Sequence, residues 1–303
     1  MKRSTLVISL TPLALMWGLS FLGTTVGLET LNAMSLLAVR WAIATVIALA
    51  VIVSGKVRVD LRKPGLGWVL LTGAMQPCIY SILETYGISM TSTSMSSIII
   101  ALIPCMTMIL GALFFKRKLK GKIVFSILLA FAGVTVGTFF SPNFSSDGKL
   151  LGVMILMGAV VAGGFYGHFT SRACEHYSTM EITCIISIMS GVIFNIISLC
   201  MGNGITPYII SMTDLKTGLC VLFLGAGCST TCYFLMNYII SKMDPSSALN
   251  LTASLTTSIG VVSGILFAGD PFGWYTIVGL AMTLTGVYIT SSAETEITPQ
   301  KVV

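Results

Sequence analysis

Apolar stretches and short polar turns alternate along the whole chain. A helix needs about 20 apolar residues to cross the hydrocarbon core of a bilayer. Stretches of roughly that length predict ten helices, over 5–27, 32–54, 66–87, 92–115, 120–140, 149–170, 180–201, 216–239, 245–268 and 271–292, numbered α1 to α10 in chain order. Most turns are short, so chain neighbours are expected to pack antiparallel. Asp244-Pro245 and Asp270-Pro271 read as helix starts: Asp accepts backbone N–H bonds at an N-cap, and Pro fits the first helical position. Pro77 and Pro104 fall inside α3 and α4. Each removes a backbone N–H and frees a carbonyl, which predicts a kink and a candidate gating point.

Composition removes the soluble alternatives. The 303 residues are 55% hydrophobic and 9% charged, against about 25% charged in a soluble domain. With so few charges, bilayer must be the solvent for most of the chain. The net charge of +6 is no nucleic-acid signal, because the basic residues gather in a few turns. Eight cysteines lie in or near apolar runs, with no metal-ligand spacing beyond Cys228 and Cys232 one helical turn apart. They read as reduced, small apolar residues. Residues 1–26 begin like a signal peptide, with Lys2 and Arg3 before an apolar run. No small-residue cleavage site followed by a polar domain is found, so they read as a retained first span. No phosphate-cradling motif of a nucleotide hydrolase occurs, and neither a cofactor nor a metal is expected.

Lysine and arginine give the orientation. They fall at residues 2–3, in the turn after α2 (Lys56, Arg58, Arg62, Lys63), in the run 116–122, and at Arg172, Lys242 and Lys301. The alternate turns hold only Lys149 and Lys216. Both termini are therefore expected in the cytoplasm of a multi-pass cell-membrane protein, with the run 116–122 as a topology anchor on lipid headgroups.

The layout of 84–136 recurs about 152 residues later: Tyr86 matches Tyr238, Ser94 matches Ser246, Phe115 matches Phe267 and Gly121 matches Gly273. The expected units are 1–145, 146–293 and a tail at 294–303. Five spans per copy is an odd number, so the copies must be inverted. Inverted repeats place a solute site near the midplane, between halves that rock against each other.

The residues that complete the picture are Trp17-Gly18 with Ser20-Phe21 in α1, and Arg40 within LLAVRWAIA of α2. Ala101-Leu102-Ile103-Pro104 and Gly111 follow in α4, then Gly121, Gly133 and Gly137 around α5. The second copy supplies Ser254, Ser263, Gly273 and Gly286. In this order they make the chain resemble the EamA-type branch of the drug/metabolite transporter superfamily over essentially its whole length. The resemblance implies a single-chain transporter, often an exporter of amino acids or related metabolites, with a central cavity. Two positions depart from the family pattern. Lys118 stands where an acidic residue usually follows α4, with Asp270 at the equivalent second turn, and Thr256 stands opposite Pro104 in the second copy. The fold carries over from the resemblance; the coupling mechanism does not.

Arg40 lies about eight residues into α2, roughly 12 Å deep at ~1.5 Å per residue. A charge at that depth marks a functional site with a partner to be named, and Glu84, ending α3 on the same side, is that partner. Arg40 would bind a substrate carboxylate with Glu84 as a switchable counter-ion. The alternatives are a structural ion pair, or Arg40 snorkelling to the headgroups. Trp17, Phe21, Tyr80, Phe165, Tyr166 and Tyr233 are candidates for an aromatic wall, or for packing and lipid contact. Ser94, Ser97, Asn250, Ser254, Thr256 and Thr257 offer polar groups, or bond back to their own helices. Gln76 beside Pro77 is a further candidate. Asn195 and Asn237 read as helix–helix hydrogen bonds, and His168 and His176 as groups near water. The expected binding set is Trp17, Phe21, Arg40, Tyr80, Glu84, Ser97, Tyr166, Tyr233 and Ser254.

The reading is an all-α, ten-span secondary transporter, monomer or homodimer, that moves a small metabolite or amino acid outward by alternating access. An ion gradient, such as a proton gradient, or solute exchange would drive it. Cationic drugs, nucleotide sugars and sugars remain open as solute classes on the same fold. A membrane enzyme would need paired carboxylates, clustered histidines or a nucleophile with its base inside the spans, and no catalytic residue is assigned. A channel would usually form rings by oligomerisation, which a duplicated single chain does not need.

Overall fold

A computed structural model describes residues 3–115, 120–142 and 147–295. Lys2, Lys116, Arg117, Lys118 and Lys301 lie outside the described residues. Ten long helices follow the expected order. They are α1 Arg3–Gly27, α2 Ala33–Val53, α3 Leu66–Met90, α4 as Thr93–Ile100 and Ile103–Phe115, and α5 Gly121–Phe139. The second copy holds α6 Asp147–Ala173, α7 Thr179–Cys200, α8 Leu215–Ile240, α9 Pro245–Phe267 and α10 Trp274–Thr295. Nine carry an apolar window of spanning length, and α10 carries the shorter apolar stretch Trp274–Thr290. The described residues form no strand. In hydrocarbon a backbone must satisfy its own N–H and C=O groups, and helices do so within one segment.

Polar caps set the helix starts. Asn32 accepts from the Ser35 N–H, Ser92 from Met95, and Asp244 from Ser246. Ser178 and Glu181 form a reciprocal capping box at α7. Glu181 also takes a 2.6 Å salt bridge from Lys63.

Asp270 departs from its expected role. Helix α10 begins at Trp274, beyond the reach of an N-cap at 270. The Asp270 carboxylate instead accepts the Ser94 N–H at 2.6 Å, so it caps α4 from another loop. The turn before α8 also holds a short helix, Thr206–Thr213, with Pro207 in its first turn. The hydropathy reading passed over it because it is too short to span. At its end, α10 continues to Thr295, two residues into the expected tail.

Packing obeys an exchange of the two halves. Helix α1 packs on α9 and α6 on α4; α2 packs on α7 and α5 on α10; α3 meets α6 as α8 meets α1. Small residues permit the closest approaches. A Cβ on Gly18 would fall 2.9 Å from the Thr256 carbonyl oxygen of α9, and one on Gly163 would fall 2.8 Å from Ile103 of α4. The α5–α10 seam is tighter: a Cβ on Gly279 would lie 2.7 Å from the Gly137 Cα. Such stripes suit membrane helices, which gain little from apolar burial in lipid and associate by contact instead.

The loops divide between two faces. On the basic face, the Tyr177 hydroxyl donates to the carbonyls of Asp60 and Lys63. On the opposite face, Lys216 donates to Glu29 at 2.6 Å and Asn32 to Asn203 at 2.9 Å.

Candidate functional site

Helices α1, α2, α3, α4, α8 and α9 enclose a central cavity of about 670 Å³, the open space at its mouth included. That size suits a small solute. Three of the six helices lose regular geometry at this level. In α3, the segment Ala74–Ile79 is a kink between two helical stretches, where Gln76 leaves helical dihedrals (φ −141°, ψ 114°) next to Pro77. In α8, Phe223–Thr231 widens to π geometry without leaving the helix. Helix α4 breaks between Ile100 and Ile103, just before Pro104. The α3 kink and the α8 π segment stand at corresponding positions of the two copies, since Pro77 and Ser229 are offset by the same 152 residues as Tyr86 and Tyr238. Such segments free backbone groups and recur at functional sites.

Of the expected binding set, Trp17, Phe21, Arg40, Tyr80, Glu84, Ser97 and Tyr233 line the cavity, with Gln76, Pro104, Thr256 and Thr257. Arg40 is 4% exposed and Glu84 6%, so Arg40 does not snorkel to a surface. No ion pair within 4 Å joins them. Arg40 Nε instead donates to Ser229 Oγ at 2.6 Å, and Glu84 Oε1 accepts the Tyr80 hydroxyl at 2.7 Å. Both charges are thus held by neutral partners on one wall. A buried charge costs several kcal/mol unless it is paired, so a solute with complementary charge would be stabilised there.

Tyr233 centres the aromatic wall. Its ring meets Trp17 edge-on at 5.8 Å, Trp41 at 5.4 Å and Tyr166 at 6.1 Å. The Trp17 indole N–H donates to the Cys228 carbonyl at 3.4 Å, one of the backbone groups of the α8 π segment.

Two residues of the expected set, Tyr166 and Ser254, stand elsewhere, as do the further candidates Phe165 and Pro77. Tyr166 is fully buried behind the wall, where its hydroxyl donates to Asn237 at 2.6 Å. Ser254 does not line the cavity, because its place on α9 turns it away from the face carrying Thr252, Thr256 and Thr257. Phe165 stacks on Phe169 and meets Phe114, on a different side of α6 from Tyr166. Pro77 is buried next to Gln76 without lining the cavity. His168, expected near water, is 5% exposed and bonds the Thr107 carbonyl at 2.9 Å. Asn195 and Asn237 bond neighbouring helices through Ala38 and Thr183.

The sequence reading missed Ser20, Ile100, Leu249, Thr252 and Ala253 as lining residues, and Ser229 as the partner of Arg40. Small hydroxyl residues carry no signal that separates a cavity from a helix contact.

A second space of about 970 Å³, open solvent at its mouth included, is lined by Glu29, Asn32, Tyr86, Ser89 and Asp270 on the face opposite the basic one. One helical turn separates it from the central cavity. Phe21, Ser97 and Glu84 line the inner space; Thr25, Thr93 and Ile88, four residues away on the same helices, line the outer one. The Thr25 and Thr93 hydroxyls are hydrogen-bonded at 2.7 Å within that layer.

Ten helices in inverted copies around a cavity with two charges and an aromatic wall define a membrane protein of the transporter class. The EamA-like transporter family model matches residues 6–139 and 150–292, one match in each copy. The chain belongs to the EamA-like transporter family. It is 25% identical over 279 residues to the uncharacterized transporter YcxC of Bacillus subtilis (strain 168), covering 89% of this chain and 87% of the relative. It is 24% identical to a probable amino-acid metabolite efflux pump of Escherichia coli (strain K12), over 90% of each chain. It is 23% identical to a probable terminal-alkyne amino-acid exporter of Streptantibioticus cattleyicolor, covering 95% of this chain and 94% of that one. A solved crystal structure shares the fold with a TM-score of 0.68 at 16% identity, over 98% of this chain and all of that one.

Proposed function

We propose that the protein is a secondary active transporter that exports a small amino-acid-like metabolite across the cell membrane by alternating access. The observation that carries this is the pair of buried side chains of opposite charge type on one cavity wall, Arg40 and Glu84, held by Ser229 and Tyr80 rather than by a salt bridge to each other. A zwitterion supplies both missing charges in one small molecule. The guanidinium takes its carboxylate and Glu84 its ammonium group, while Trp17, Tyr80 and Tyr233 cover its apolar part. Two relatives named for export of amino acids or their metabolites support the same class. Both termini lie in the cytoplasm on this reading, because Lys56, Arg58, Arg62, Lys63, Arg172 and Lys242 share one face. Solute binding would shift the halves between two states, driven by a proton gradient or by exchange.

The aromatic wall favours a second reading. Trp17, Tyr80 and Tyr233 with Glu84 also make a site for an organic cation, with Arg40 as the displaceable counter-charge.

Counterflow in proteoliposomes against amino acids, nucleosides and amines tests both. Saturable exchange of amino acids is the expected outcome. Exchange of amines alone would favour the second reading, and a panel with no saturable hit would remove both.

A further inference from the structure

We infer that Ser229 is a positioning residue for solute recognition: by holding Arg40 Nε, it turns the far edge of the guanidinium toward the carboxylate of the solute. The inference rests on the proposed role of Arg40 and adds a residue from the other half of the molecule.

A guanidinium can grip a carboxylate along either of two edges, through Nε with one terminal nitrogen or through both terminal nitrogens. Here the first edge is taken. Nε donates to Ser229 Oγ at 2.6 Å, and Ser229 is fully buried. Among the described residues neither Nη1 nor Nη2 has a hydrogen-bond partner, and Arg40 lines the cavity. The edge left for a ligand is therefore the Nη1–Nη2 fork.

The π segment Phe223–Thr231 makes this grip possible. Gly225 brings α8 directly against α2: an added Cβ would lie 2.8 Å from the Arg40 carbonyl oxygen and 2.7 Å from Ile43 Cβ. Four residues on, Ser229 meets the Arg40 side chain. Thr230 and Thr231 bond the carbonyls of Gly225 and Ala226, each five residues back, so hydroxyls stabilise the widened turn itself. Arg40 belongs to the first copy and Ser229 to the second, and Ile186 stands as far from the start of α7 as Arg40 does from the start of α2. The molecule thus has one fork, aimed by the opposite half. A movement of α8 relative to α2 would re-aim it.

The test measures exchange of each of the twenty common amino acids and of its carboxamide, which keeps the amine and loses the carboxylate. Wild-type protein should prefer the acid. Ser229→Ala should raise the half-saturating concentration for the acid roughly tenfold, leave the maximal rate near wild type, and leave the carboxamide unaffected. Ser229→Thr, which keeps the acceptor oxygen, should restore the acid preference. Ser229→Cys, similar in size with a poor acceptor, replaces the alanine variant if that one does not fold. A serine with a merely structural role would change both ligands together, and that result overturns the inference. Ser229→Ala matching wild type while Arg40→Gln loses the preference overturns this inference alone. Wild type taking neither probe, or both equally, overturns the assignment of Arg40 and this inference with it.

Discussion

Tyr80 and Glu84 stand one helical turn apart on α3, and the tyrosine hydroxyl donates to Glu84 Oε1 at 2.7 Å. The carboxyl group is anchored by a neutral partner, with no salt bridge to Arg40. Charge removal on each side should then separate the two solute readings. Arg40→Gln should abolish exchange of carboxylate-bearing solutes while the protein still inserts. Glu84→Gln should weaken it by roughly tenfold or more, the loss of one charged hydrogen bond. Full exchange of amines by Arg40→Gln, lost in Glu84→Gln, would make Glu84 the anchor and the solute a cation.

The layer between the two cavities is one turn thick, and the Thr25–Thr93 hydroxyl pair crosses it. A single neutral hydrogen bond contributes about 1 kcal/mol, small enough to open during a transport cycle. Thr25→Val with Thr93→Val keeps the volume and removes the bond. In a background without native cysteines, a Cys at position 97 should react several-fold faster with a membrane-impermeant thiol reagent when both valines are present. An unchanged rate would show that this layer does not gate Ser97.

The α5–α10 seam predicts a contrast between two glycines. Gly133→Leu places a side chain where a Cβ alone would lie 2.5 Å from the Thr283 backbone nitrogen, whereas Gly121 has no heavy atom within 4 Å of its added Cβ. The first substitution should cost several kcal/mol and show as loss of the monodisperse detergent-solubilised protein, since overpacking against backbone cannot relax by rotamer change. Gly121→Ala should leave the thermal midpoint near wild type.

Asp270 caps α4 from the α9–α10 loop, through the Ser94 N–H. Asp270→Ala should lower stability by about 1 kcal/mol, the usual cost of a lost cap. A thermal-shift measurement equal to wild type would mean that water replaces the carboxylate without loss.

Asp214 caps α8. Its carboxylate accepts the hydroxyl and backbone N–H of Thr217, and those bonds hold its pKa below the usual aspartate value. A depressed folded-state pKa means stability that is present above the unfolded value, about 3.9, and lost as pH falls through the folded one. Asp214→Ala should therefore lower the thermal midpoint at pH 6, with the gap to wild type closing as the pH drops below that range.

The chain by itself determined the spans, their order and the place of Arg40 inside an apolar helix. Transfer of a twenty-residue window into hydrocarbon is a local property, and a buried arginine is visible in a sequence wherever it stands. Which way each residue faces was decided by the tertiary structure. Tyr233 faces the cavity, whereas Tyr166 stands behind it and Phe165 packs on Phe169, though all three read alike in sequence. A helix apolar on every side carries no amphipathic period from which its inner face can be read. Asp270 and Ser229 bond helices far away in the chain, across 176 and 189 residues. Such pairings follow from how inverted copies interlock, and the local sequence around either residue contains no trace of its partner.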